Sequence, residues 1–115
     1  MRTLALLLLI ALSISCDKNE DEIASDNYEV TTAGTSVDCG LLLIDFKESD
    51  LHRIEKITNS NGLRYEAYNL NKQDFSEEGQ VLTVRLRKTL DSEFFACTTL
   101  GIGYPWVTVL EAELK

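Results

Sequence analysis

Two stretches of the chain alternate between apolar and polar positions, and each predicts a half-buried strand. Over Val81 to Leu86, residues Leu82, Val84 and Leu86 fall on one face, opposite Thr83, Arg85 and Arg87. From Trp106 to Leu114, the alternation sets Thr108, Leu110, Ala112 and Leu114 against Val107, Val109, Glu111 and Glu113. Pro105 cannot donate to a ladder, so it marks the start of that strand, and on this phase Trp106 joins the Thr108–Leu114 face. The expectation is therefore a largely buried indole that plugs one end of the domain.

The remaining apolar pattern is shorter. Val37 to Phe46 holds the run Gly40-Leu41-Leu42-Leu43-Ile44, bounded by acids and too short for a buried helix, which predicts a central strand. Asn59-Ser60-Asn61-Gly62 is a turn cluster, and with 53–58 before it and Leu63 to Leu70 after it the pattern predicts a hairpin. Leu51, Ile54 and Ile57 recur every third residue, so 50–57 also fits a short helix, and the sequence leaves strand and helix both open. About five strands and no long helix predict an all-β domain, either a small barrel or a sandwich, with an OB-like barrel first.

At the N-terminus the pattern changes. Met1 and Arg2 precede an apolar run, Thr3 to Leu12, rich in leucine, which then stops at Ser13-Ile14-Ser15-Cys16 before a burst of acids. A membrane-crossing helix needs about 20 apolar residues, so the run has the length of a signal peptide's apolar region instead. Ser15 before Cys16 resembles the lipobox of bacterial lipoproteins, although Ser13 stands where that motif usually has leucine. The resemblance implies cleavage after residue 15 and acyl chains on Cys16, which together make a stable membrane anchor without a helix. An ordinary secretory signal cut near Ser15 is the other reading.

Removal of the first 15 of 115 residues leaves 100, enough for one modest core. Asp17 to Asn27 carries too little apolar surface to offset the entropy of ordering it. Residues 16–36 are accordingly expected to form an acidic flexible tether, with the β-domain over 37–115. The acids after Cys16 also resemble the surface-export signal of Bacteroidota lipoproteins. The expected address is the outer membrane, on its periplasmic or its surface-exposed side.

The chain has 11 Lys+Arg against 19 Asp+Glu, a formal charge of −8, and Asp17 to Asn27 holds half of that excess. Without a basic patch, nucleic acid is not an expected partner. Of the three cysteines, Cys39 and Cys97 form an even pair in an exported chain and predict a disulfide. A metal site or a thiol nucleophile would need partners that His52, the only histidine, and the absence of a Cys-x-x-Cys spacing do not supply.

The order Cys39-Gly40, Gly62-x-x-Tyr65 with Asn69-Leu70, Phe75-x-x-x-Gly79-x-x-Leu82-x-Val84, Cys97 and Pro105-x-Val107-x-Val109 resembles a group of functionally uncharacterised small Bacteroidota lipoproteins with an OB-like barrel. The likeness spans roughly residues 38–114, with a longer stretch at Lys47 to Ser60, and it implies a fold and an address but no activity.

Candidate chemistry is sparse. Ser36, Asp38 and Cys39 lie close in sequence, as do Asp50 and His52, and Glu77-Glu78 and Asp91 with Glu93 offer carboxylates without a calcium-loop pattern. No catalytic residue, metal or cofactor is expected. The binding candidate is the loop from Gly101 to Trp106, where Tyr104 and Trp106 flank Pro105 after two glycines. The expected function is a noncatalytic binding or interaction module in the cell envelope, held to the membrane by its lipid and facing a possible protein partner. The alternative is an inhibitor of a wall-degrading enzyme, which an exposed aromatic or acidic loop would favour.

Overall fold

The structure, a computed structural model, describes residues 24–97 and 103–115. Five strands form a closed ring: β1 (Ser25–Thr35), β2 (Leu42–Phe46), β3 (Arg64–Tyr68), β4 (Val81–Lys88) and β5 (Trp106–Leu114), in the order β1-β2-β3-β5-β4. All neighbours are antiparallel except β3 and β5. Two short helices, α1 (Leu51–Thr58) and α2 (Lys72–Phe75), lie in the connections on either side of β3. The all-β, OB-like barrel expected from the strand pattern is the fold of the chain.

Strand β1 is where the sequence reading has to be corrected, because Ser25–Thr35 is not part of a flexible tether but the longest strand. Only Tyr28 and Val30 mark its inward face as apolar, and that face then continues with Thr32 and Gly34, which look like linker residues but are buried. The Thr32 hydroxyl donates to the Glu77 carbonyl (2.5 Å) and accepts from the Gln80 amide (2.9 Å), so its burial leaves no unmet polar group. At Gly34 the backbone has φ +84°, and an added Cβ would meet Glu78 Oε1 at 2.8 Å. This glycine lies at a register shift between Thr32 and Thr35 within the β1–β2 ladder, just beyond the Val30–Thr31 segment that pairs with both β4 and β2.

The predicted strand over 37–46 begins later, at Leu42, because 36–41 form a compact turn in which the Ser36 amide donates to the Leu41 carbonyl (2.7 Å). The predicted hairpin around Asn59–Gly62 is a helix-to-strand turn instead. Leu51, Ile54 and Ile57 lie on one side of α1, and Ile54 is fully buried in the barrel core beside Tyr28, Phe46 and Tyr65. Asn59 ends the helix in the left-handed region (φ 59°), its amide donating to the Glu55 carbonyl at 2.7 Å. Arg53 fastens α1 to β1: it lies over the Tyr28 ring (4.4 Å), pairs with Asp26 (2.8 Å) and donates to the Asn27 carbonyl (2.8 Å).

In β4, Leu82, Val84 and Leu86 face inward as the alternation predicts. In β5 the predicted face is overturned, since Val107 and Val109 point into the core. Leu86 pairs with Val109 and Arg85 with Glu111, so Leu110 is an extra, exposed residue that shifts the alternation; Ala112 then packs inward. Trp106 consequently lies on the outer face and is half-buried.

Ile54→Ala should cost about 2–5 kcal/mol in denaturant unfolding, as expected for a fully buried aliphatic residue. His52→Ala, on the solvent side of the same helix, should stay within about 0.5 kcal/mol of the parent.

Candidate functional site

Two loops meet at one end of the barrel. The β1–β2 loop carries Cys39 and the β4–β5 loop carries Cys97, and the two are joined by a disulfide with Cα atoms 4.7 Å apart, closing a separation of 58 residues. The predicted pair is thus present, and both sulfurs are spent in it. Cys16 lies outside the described residues.

Around this staple lies an outward-facing aromatic group. The Trp106 ring stacks on Tyr68 of β3 (centroids 6.2 Å apart, 17° between planes) and touches Phe94 (5.0 Å) and Phe95 (4.9 Å) of the β4–β5 loop. Phe94 and Phe95 are 50% and 46% exposed, and Leu90 and, on the opposite loop, Val37 are exposed as well. Tyr104, the second candidate binding residue, is not part of this group. It lies near Arg64 (5.9 Å to the ring centroid), which pairs bidentately with Asp45 at 2.7 and 2.9 Å. Arg64 and Asp45 in turn line an open polar cleft of about 460 Å³ with Thr32, Ala33, Glu78 and Gly79.

Two carboxylates hold the loops in place, and the sequence reading assigned neither of them a role. Glu93 accepts both guanidinium nitrogens of Arg87 (2.8 and 2.9 Å), the Leu90 amide (2.8 Å) and the Thr108 hydroxyl (2.9 Å). The Arg87 contact, with these further donors, holds the Glu93 carboxyl down at about 2. Glu66 is 1% exposed on the outer side of β3, and its Oε1 accepts the Ser36 hydroxyl at 2.5 Å. Burial pushes its carboxyl up, the Asp38 charge adds to this, and the Ser36 hydroxyl acts in the opposite direction. In β3 Glu66 lies outside the barrel, between the inward Tyr65 and Ala67. What a local pattern could not show is that the two loops fold over it.

The other sequence candidates are dispersed. His52 is on the exposed side of α1, 3.9 Å from Glu55, and Asp50 pairs with Arg53 at 2.8 Å. Among the described residues no group of three or more histidine, cysteine, aspartate or glutamate side chains is placed to hold a metal, and no helix is long and apolar enough to cross a membrane. What the barrel end presents is a rigid aromatic surface.

Reducing the disulfide, or replacing Cys39→Ser, should destabilise the domain by about 4 kcal/mol on the chain-entropy estimate, read as a lower melting temperature. Glu93→Gln should cost about 1–3 kcal/mol at neutral pH through the lost charge-assisted bonds. Because the folded Glu93 carboxyl titrates at about 2 and an ordinary glutamate at 4.5, its stabilisation is present above 4.5 and lost as pH falls towards 2. The gap between parent and variant should therefore close across that range. Glu66 has the opposite sign, so Glu66→Gln should flatten the loss of stability as pH rises above 4.5.

Compared with protein-family models, with curated proteins and with solved structures, the chain matches none.

Proposed function

We propose that the chain is a lipid-anchored, noncatalytic interaction module of the bacterial cell envelope, and that its contact surface is the aromatic group at the stapled end of the barrel. The observation that carries this reading is the exposure of Phe94 and Phe95 on a loop fixed at both ends of its described part, by Glu93 and by the disulfide. Leaving two phenylalanines half in water is unfavourable for a domain with a small core, and such patches on monomers commonly mark contact sites. Aromatic rings held rigidly also lose little freedom when they bind.

The anchor half of the proposal rests on the sequence: the apolar run Thr3–Leu12, the small residue before Cys16 and the acids after it. An outer-membrane address, and kinship with the Bacteroidota lipoproteins whose residue order the chain resembles, belong to the same proposal. The second reading is an inhibitor of a wall-degrading enzyme. The same stapled Phe94-Phe95 pair favours it, because a preorganised aromatic wedge can fill an enzyme cleft.

Cys16→Ser should abolish labelling by a radioactive fatty acid and move the protein out of the membrane fraction; unchanged partition would rule out the anchor. A photo-crosslinking residue at position 95 should give adducts in native membranes, whereas one at Val81, exposed at the opposite end, should not. Equal labelling at both positions would remove the contact surface. Stoichiometric inhibition of a wall-degrading enzyme that is lost in Phe95→Ser would select the inhibitor reading.

A further inference from the structure

The register of the barrel fixes where the chain leaves it. Ser25 pairs with Arg87 of β4, and Arg87 pairs with Thr108 of β5. The N-terminal segment therefore enters the barrel beside the start of the β4–β5 loop, two strands away from β5 and level with a residue two positions beyond Trp106. Cys16 is nine residues before Ser25, and nine residues reach at most about 30 Å. Whatever holds Cys16 is kept within that distance of the barrel end that carries the aromatic group.

The chemistry of that end matches an interface between water and lipid. Tryptophan prefers the headgroup region, where its ring is desolvated and its N–H stays wet, while phenylalanine and leucine reach the acyl boundary. Trp106, Phe94, Phe95 and Leu90 supply those side chains on one loop and the adjoining strand, with Arg87 and Lys88 next to them. The exposed apolar residues at the other end of the β4–β5 ladder, Val81 and Leu114, are aliphatic and lie where β4 begins and β5 ends. Charge narrows the choice of surface: Asp17, Glu20, Asp21, Glu22 and Asp26 run from the anchor to the barrel and disfavour an anionic bilayer.

We propose that the Trp106–Phe94–Phe95 face docks on the headgroup region of the bilayer that carries the Cys16 anchor, a contact with a neutral phospholipid surface that lays the barrel against the membrane. This rests on the reading of the same face as the contact surface, and it names the occupant. The staple and the Glu93 clamp preorganise the rings, so docking needs little further ordering. The anchor supplies the high local concentration that a few aromatic side chains need to hold a surface.

Trp106 is the only tryptophan, and Cys16 is the only cysteine outside the disulfide, so one preparation reads the contact directly. The chain from Cys16 to Lys115 is coupled through Cys16 to a maleimide-bearing phospholipid in phosphatidylcholine vesicles. Relative to the same chain free in buffer, Trp106 emission should shift to the blue and iodide quenching should fall severalfold. Lipids brominated near the headgroup end of the acyl chains should quench it. A Phe94→Ser/Phe95→Ser double variant, coupled in the same way and still folded by circular dichroism, should lose all three effects. Iodide quenching that is equal in coupled and free wild-type chain, with no bromolipid quenching, would overturn the inference and needs no variant. Protein adducts from position 95 in native membranes would then leave the contact surface standing with a protein as its occupant. Absence of any adducts from that position would remove both readings.

Discussion

Strand β1 has to satisfy two neighbours at once, and the rest of the structure follows from that demand. Ser25–Thr31 pair with β4, and Val30–Thr35 pair with β2, which closes the ring and leaves no free sheet edge. The two ladders overlap at Val30 and Thr31, and the β2 ladder then shifts register around Gly34, where an added side chain would strike Glu78. The same closure carries the end of β1 to the β4–β5 loop, so that Cys39 meets Cys97. It also carries the beginning of β1 to the opposite side of that loop. The β4–β5 loop, which carries Phe94 and Phe95, thus begins beside the start of β1 and is tied by the disulfide to the loop that follows the end of β1.

Electrostatics completes that end in two opposite ways. Glu93 stays ionised well below the ordinary glutamate range because Arg87 grips it with both nitrogens, and in that form it gathers Leu90 and Thr108 to itself. Burial favours the protonated Glu66 carboxyl, against the hydrogen bonds that it accepts from the Ser36 hydroxyl and the Tyr104 backbone. One carboxylate draws the β4–β5 loop onto the sheet, and the other lies beneath the β1–β2 loop. Since the two shifts oppose each other, stability at this end should be greatest at mildly acidic pH, between the loss of Glu93 ionisation and the gain of a charge on Glu66.

Much of the barrel was legible because its strands obey a period of two. Val81 to Leu86 read correctly, the central apolar run became β2, and the cysteine count gave the disulfide. The errors have local physical causes. β1 reads as tether in the sequence because its inward positions beyond Val30 are a threonine, satisfied by the Glu77–Gln80 turn, and a glycine. The hairpin at Asn59–Gly62 failed because Asn59 tolerates a positive φ equally well at a helix end. The phase of β5 failed because Leu110 is bulged, which no alternation count can reveal. Half of the candidate site was visible as Trp106. Phe94, Phe95 and Tyr68 join it only through tertiary folding, and Tyr104 faces Arg64 instead.

The central claim is that ring closure by β1 is independent of the staple, while the geometry of the two loops depends on it. Backbone hydrogen exchange, compared in the oxidised and the reduced chain under conditions where both stay folded, tests this most directly. The account predicts slow exchange at Tyr28, Val30 and Thr32 in both forms, with protection lost on reduction in 36–41 and 89–97. Fast exchange along β1 in the oxidised chain, or unchanged protection in both loops after reduction, would contradict it.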